Sequence, residues 1–185
     1  MTMWTTLIEL TRGARAHDDT DEVAAPRVGA TAMALLAAAG LIAGWGVALG
    51  APDPMSMLQN GWRLPAAALG SIALAMPPAL LAHHFTADRR PATTPLLALG
   101  AGNLAAALVL GSVAPLIALY GDGGPWIGTL LVVGAMGLAG LAWIVGAARN
   151  GGTRLPIVVA LVAQLVALGR LVHLAAPTIP TLGAW

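Results

Sequence analysis

The stretch GATAMALLAAAGLIAGWGVALG, residues 29–50, carries no charged side chain over its 22 positions. A helix of about 20 apolar residues is long enough to cross the hydrocarbon core of a bilayer. The rest of the chain has a similar composition: 58% of its 185 residues are hydrophobic, 9% are charged and the mean hydropathy is +0.81. A soluble domain carries about 25% charged residues. The composition therefore predicts a membrane protein.

Five stretches of this kind can be drawn along the chain: residues 29–50, 64–82, 95–120, 126–147 and 155–176. They are separated by short segments rich in proline, glycine or charge, which are typical of turns. We predict an all-α, polytopic membrane protein whose five transmembrane helices occupy residues 29–176, with a tail of residues 177–185 after them. A break in the third stretch would give six spans, and a fifth stretch lying flat on the membrane would give four.

The placement of arginine predicts the orientation, because cytoplasmic loops retain positive charge. Seven arginines flank the spans on one side: Arg12, Arg15, Arg27, Arg89, Arg90, Arg149 and Arg154. The loops on the other side hold only Arg63. The N-terminus is therefore predicted in the cytoplasm and the C-terminus outside. All nine cations are arginine and Ala, Gly and Pro are abundant, as in proteins from GC-rich bacteria, so we expect a multi-pass protein of a bacterial inner membrane.

The first 28 residues are predicted to form a cytoplasmic tail. Within residues 1–15, the apolar side chains of Met3, Trp4, Leu7 and Ile8 share one helical face, and arginines follow them. Such a pattern favours a short amphipathic helix on the membrane surface, with a frayed tail as the alternative. Residues 18–22 are acidic and are predicted to be a hydrated linker.

Glycine pairs at a spacing of four mark candidate contacts between helices, since small side chains let backbones approach closely in lipid. The first span contains Gly40 with Gly44 and Gly46 with Gly50. We expect these faces to contact neighbouring helices of the same chain, of another copy or of another membrane protein. Prolines 77 and 78 are predicted to break or kink the second span, and Pro115 to kink the third.

Three polar side chains within the spans are candidate intramembrane contacts. Asn103 on the third helix and Gln164 on the fifth both lie roughly 12–14 Å from the cytoplasmic end, so a hydrogen bond between them is expected. Such a contact is either structural or part of a site. Arg170 lies near the outer end of the fifth span, where its side chain can reach the headgroups, and a site for an anion or a lipid headgroup is the alternative there.

No constellation for catalysis, a cofactor or a metal is predicted. His83 and His84 end the second span, whereas His173 lies roughly 27 Å away across the membrane, so a haem iron cannot bind both sides. Ser71 and Ser112 have no base at their depth. A net charge of +1, with no basic stripe, argues against nucleic-acid binding. We therefore expect no enzyme activity, no cofactor and no metal.

Several short strings resemble a family of bacterial inner-membrane proteins similar to the Yip family. They are residues 44–50 (GWGVALG), 61–65 (GWRLP), 77–78 (PP) and 111–117 (GSVAPLI), and Gln164 with Arg170. The sequence departs from that pattern where Ala167 stands in place of tryptophan and Leu171-Val172 in place of Pro-Phe. The resemblance implies five helices and a cytoplasmic N-terminus, and it implies no particular activity.

Two function classes remain open on this evidence. The first is a non-enzymatic accessory or scaffold protein that binds other membrane proteins, or copies of itself, through its Gly/Ala-rich helix faces. The alternative is a small permease or lipid-handling protein in which Asn103, Gln164 and Arg170 line a path.

Overall fold

The computed structural model describes residues 21–51, 53–86, 93–120 and 154–175, and five further positions between 134 and 141. In these residues the chain forms four long helices and no strand. They are α1 (Asp21–Leu49), α2 (Pro54–Phe85), α3 (Thr93–Tyr120) and α4 (Leu155–Ala175).

All four of these helices are long and apolar enough to cross a membrane. This confirms, for the described residues, an all-helical chain with four helices able to cross a membrane, while the count of five spans stays a prediction. The predicted span at residues 126–147 lies outside them except for positions 134, 137, 138, 140 and 141, which are helical. The predicted amphipathic helix in residues 1–15 and the tail at residues 177–185 lie outside the described residues altogether.

Two helices begin earlier than the sequence predicted. α1 starts at Asp21, so the acidic linker predicted at residues 18–22 already enters the helix. α2 starts at Pro54, ten positions before the predicted start. Ser56, Gln59 and Asn60 lower the hydropathy near its start, but the N-cap at Asp53 lets the helix begin there, so hydropathy gave the wrong boundary.

Prolines do not interrupt these helices. α2 continues through Pro65, Pro77 and Pro78, and α3 continues through Pro115. The second span therefore does not break at Pro77-Pro78, and a kink there or at Pro115 stays a prediction. Each proline removes one backbone donor, but long membrane helices tolerate it when neighbouring groups satisfy the freed carbonyls.

The described helices form a bundle in which α3 packs on α1, α1 on α2, and α2 on α4, while α3 contacts α4 and α2 much less. α1 and α3 run parallel, because Gly100 lies against Thr31 and Gly111 against Leu41. α2 runs antiparallel to both α1 and α4. The α1–α2 turn therefore lies at one end of the bundle, called here the hairpin end, together with the last residues of α3 and α4.

The core is built largely from alanine. Fully buried positions include Ala75, Ala79, Ala98, Ala107 and Ala160, with larger side chains at Leu97, Leu99 and Ile157 filling the space between them. Small side chains at so many contacts let the helix backbones approach closely, which is how helices associate in lipid.

Candidate functional site

A polar cluster joins three helices in the middle of the bundle. Gln164 on α4 donates from Nε2 to Asn103 Oδ1 on α3 at 2.8 Å. The same nitrogen lies 3.5 Å from Ser71 Oγ on α2, at the limit of a hydrogen bond. Gln164 and Ser71 are 0% exposed and Asn103 is 5% exposed. The hydrogen bond expected between Asn103 and Gln164 is thus present in the structure.

The backbone fixes the direction of this cluster. Asn103 Nδ2 donates to the Leu99 carbonyl one turn earlier at 2.8 Å, which turns Asn103 Oδ1 towards α4. Ser71 donates its hydroxyl to the Ala68 carbonyl at 2.7 Å, so only its lone pairs face Gln164. Asn103 and Ser71 therefore both present acceptors to Gln164, which donates from its amide nitrogen.

The Asn103–Gln164 hydrogen bond crosses the contact between α3 and α4, which is smaller than the contacts of α1 with α3, α1 with α2 and α2 with α4. α3 packs mainly on α1 and only slightly on α2 and α4. A hydrogen bond between membrane helices contributes on the order of 1 kcal/mol. The amide pair is therefore a specific link between α3 and α4.

The structure does not bring Arg170 into this cluster. Arg170 is exposed on α4, six positions after Gln164. Six positions in a helix correspond to roughly 9 Å of rise and a rotation of about 120°. Its guanidinium leaves from a different face of α4, towards the surroundings of the bundle, so the two amides and the arginine do not line a common path within the described residues.

The histidines lie at opposite ends of the bundle. His83 and His84 are in the last turn of α2, and His173 is in the last turn of α4, at the hairpin end. In the part of the chain that the structure describes, no three His, Cys, Asp or Glu side chains lie close enough together to hold a metal ion.

A second candidate site is an apolar groove on the outside of α1. The groove measures about 360 Å³ and lies between α1 and α3 near the hairpin end, with Met57 of α2 at its edge. Gly40 and Gly44 of α1 line one wall, and Gly111 of α3 lies in the other. No described atom lies within 4 Å of a Cβ built on Gly40 or Gly44. Of the glycine pairs in α1, this one faces away from the described part of the bundle.

The other pair, Gly46 and Gly50, is enclosed. A Cβ built on Gly46 would overlap the backbone carbonyl of Asn60, and one built on Gly50 would overlap the backbone of Ser56 and Met57. These glycines let the antiparallel helices α1 and α2 pack backbone against backbone.

The turn between α1 and α2 is closed by an N-cap. Asp53 accepts hydrogen bonds from the backbone N–H of Ser56 at 2.8 Å and from its hydroxyl at 2.7 Å. These bonds, the side-chain one first, hold the pKa of Asp53 below its usual value. The cap satisfies backbone donors that the first turn of a helix otherwise leaves open.

Sequence reasoning missed two parts of these sites. The lack of a base at its depth argues against a nucleophilic role for Ser71, and no polar contact is predicted for it. Ser71 nevertheless lies near the middle of its predicted span, as Asn103 and Gln164 do. That shared depth was the available signal. The pairing of Gly46 with Asn60 was missed because residues 54–63 were predicted as a loop.

Comparison with models of protein families, with curated proteins and with solved structures finds no match for the chain. The resemblance to the Yip family stays a prediction. The four long apolar helices of the described residues are consistent with an integral membrane protein.

Proposed function

We propose that this chain is a non-enzymatic protein of a bacterial inner membrane that associates with other membrane proteins through the groove on α1. The observation that supports it is the open surface at Gly40 and Gly44. Both glycines are exposed, and a Cβ there would meet no atom of the described residues within 4 Å.

The exposed residues along this face repeat with alternating steps of four and three: Met33, Ala37, Gly40, Gly44, Val47 and Ala51. That spacing keeps side chains on one line of contact with a second helix. The glycines in the middle of the line allow a partner backbone to come close, which is the main source of helix association in lipid. A partner helix that inserts a larger side chain between α1 and α3 fits this surface.

The test is to fill the groove and measure association. Gly44→Leu places a bulky side chain in open space, so folding and stability should be unchanged while partners are lost on purification in mild detergent. Gly169→Leu is the matched control, because Gly169 is also exposed on a helix and a Cβ there likewise meets no described atom within 4 Å.

Loss of co-purifying membrane protein with Gly44→Leu, but not with Gly169→Leu, is the expected result. The same partners at the same yield from both variants, or purification of the wild-type chain alone, would contradict the proposal.

The proposed orientation has the hairpin end outside and the opposite end in the cytoplasm. The start of α1, the end of α2 and the starts of α3 and α4 lie at the same end of the bundle, so the arginines next to these positions in the sequence belong to one side. Arg154, which directly precedes α4, is exposed there. Positive charge favours the cytoplasmic side.

Single cysteines test this orientation without background, since the chain contains none. α2 has 32 residues, or about 48 Å, so both ends extend beyond a hydrocarbon core of about 30 Å. Leu58 is 69% exposed near its hairpin end and Phe85 is 80% exposed at its other end. In spheroplasts, a membrane-impermeant maleimide should label Leu58→Cys and spare Phe85→Cys, and the reverse pattern would contradict the orientation.

A small permease built on Asn103, Gln164 and Arg170 has less support. Two of these side chains are buried among three helices, and the third leaves the bundle from a different face of α4. No step in the scaffold proposal depends on them.

A further inference from the structure

The amide oxygen of Gln164 is a buried hydrogen-bond acceptor, away from the groove on α1. Gln164 is completely buried, and its Oε1 accepts no hydrogen bond from any described residue. A buried acceptor left without a donor costs about 1–3 kcal/mol. A hydrogen-bond donor at Gln164 Oε1 would therefore stabilise the bundle.

The orientation of the Gln164 amide follows from its neighbours. Asn103 Oδ1 and the lone pairs of Ser71 Oγ can only accept, because Asn103 Nδ2 is turned towards Leu99 O and the Ser71 hydroxyl is used on Ala68 O. Gln164 must present Nε2 to both of them. Rotating the amide would set Oε1 against Asn103 Oδ1, acceptor against acceptor, so Oε1 has to face away from the pair.

The side chains next to Gln164 along α4 carry no donor. One turn away from Gln164 on α4 are Ala160, Leu161, Ala167 and Leu168. Gly140 contacts Leu161, and the segment around it, residues 130–142, contains no polar side chain at all. Backbone N–H groups inside a helix are already used by the helix.

We propose that Gln164 Oε1 binds a water molecule within the bundle, beside the amide pair of α3 and α4. A neutral donor fits, because none of the residues named around the amide is charged and an ion there would lack a counter-charge in an apolar surrounding. A buried water usually makes about three hydrogen bonds. Asn103 Nδ2 offers a second partner, since only one of its two hydrogens is used on Leu99 O.

Water-edited NMR of the full chain in lipid nanodiscs tests this directly. The sequence contains only two glutamines, Gln59 and Gln164, so selective ¹⁵N labelling gives two side-chain amide signals. Gln59 bonds Arg63 near the hairpin end and serves as the hydrated reference. A Gln59→Met variant assigns the signals without altering the buried site. In a second sample labelled with ¹⁵N-alanine, the backbone amide of Ala79, which is 0% exposed, serves as the dry reference.

Transfer from water to the Gln164 amide at the mixing time that suffices for Gln59, with none to Ala79, is the expected result. If Gln164 behaves as Ala79 does, while Gln59 receives the transfer, Oε1 binds no water and the proposal is wrong. The measurement is made on the native side chain, so it does not depend on the folding of a Gln164 variant.

Discussion

The two glycine pairs of α1 have the same spacing and opposite surroundings. Gly46 and Gly50 lie against the backbone of α2, with no room for a Cβ, whereas Gly40 and Gly44 open onto a groove. Gly44 and Gly46 are two positions apart, which places them about 200° apart around the helix. One pair therefore closes the hairpin and the other is left to face outward. The spacing of four predicts that each glycine pair can contact another helix. The angular position of each pair around α1 determines which of them contacts α2 of the same chain.

The largest effect is expected at the enclosed pair. Gly46→Leu forces α1 away from the Asn60 carbonyl, and overpacking of a close contact costs on the order of 2–3 kcal/mol. The unfolding temperature in detergent should fall well below that of the wild type, or folded protein should not be recovered. Gly44→Leu, two positions away, should unfold at the wild-type temperature or slightly above it, since leucine favours a helix more than glycine does.

Equal unfolding temperatures for these two variants would contradict the difference between the enclosed and the open glycine pair. It would mean that α1 and α2 do not approach each other at Gly46 as the structure has them.

A smaller loss of stability is expected when the hydrogen bond between Asn103 and Gln164 is removed. Gln164→Met keeps the length of the side chain but leaves Asn103 Oδ1 without its donor, so stability should fall by about 1–2 kcal/mol. Thermal unfolding of the purified protein measures it. The control is Gln59→Met, which removes only a partly exposed bond to Arg63 and should change stability little. An unchanged unfolding temperature for Gln164→Met would show that the amide pair does not link α3 to α4.

Much of the bundle was predictable from the sequence because lipid imposes simple rules. Apolar stretches of sufficient length gave the helices now described as α1 to α4, and equal depth predicted the contact between Asn103 and Gln164. Hydropathy could not give the helix starts at Asp21 and Pro54, since a helix continues into polar residues when its first turn is capped, as Asp53 caps α2.

The groove could not be read from the sequence, because it depends on two helices. Gly40 and Gly44 supply one wall, but the other wall is formed by Gly111, Ala114 and Pro115 of α3. Their side-by-side position follows from the parallel packing of α1 on α3, and nothing in the spacing of either segment fixes which helix neighbours which. The outward direction of Arg170 could not be predicted from the sequence either, because only the packing of α4 on α2 determines which face of α4 is left exposed.

The most direct test of the account is crosslinking from the groove in living cells. A photoreactive residue replaces Val47, which lines the groove and is 37% exposed, and in a matched variant it replaces Val166, which is 63% exposed on the outer face of α4. Irradiation should give a discrete crosslinked protein band from position 47 and none from position 166, where the neighbours are lipids. No protein crosslink from position 47, or the same crosslinks from both positions, would contradict the claim that the outward glycine face of α1 is an association surface.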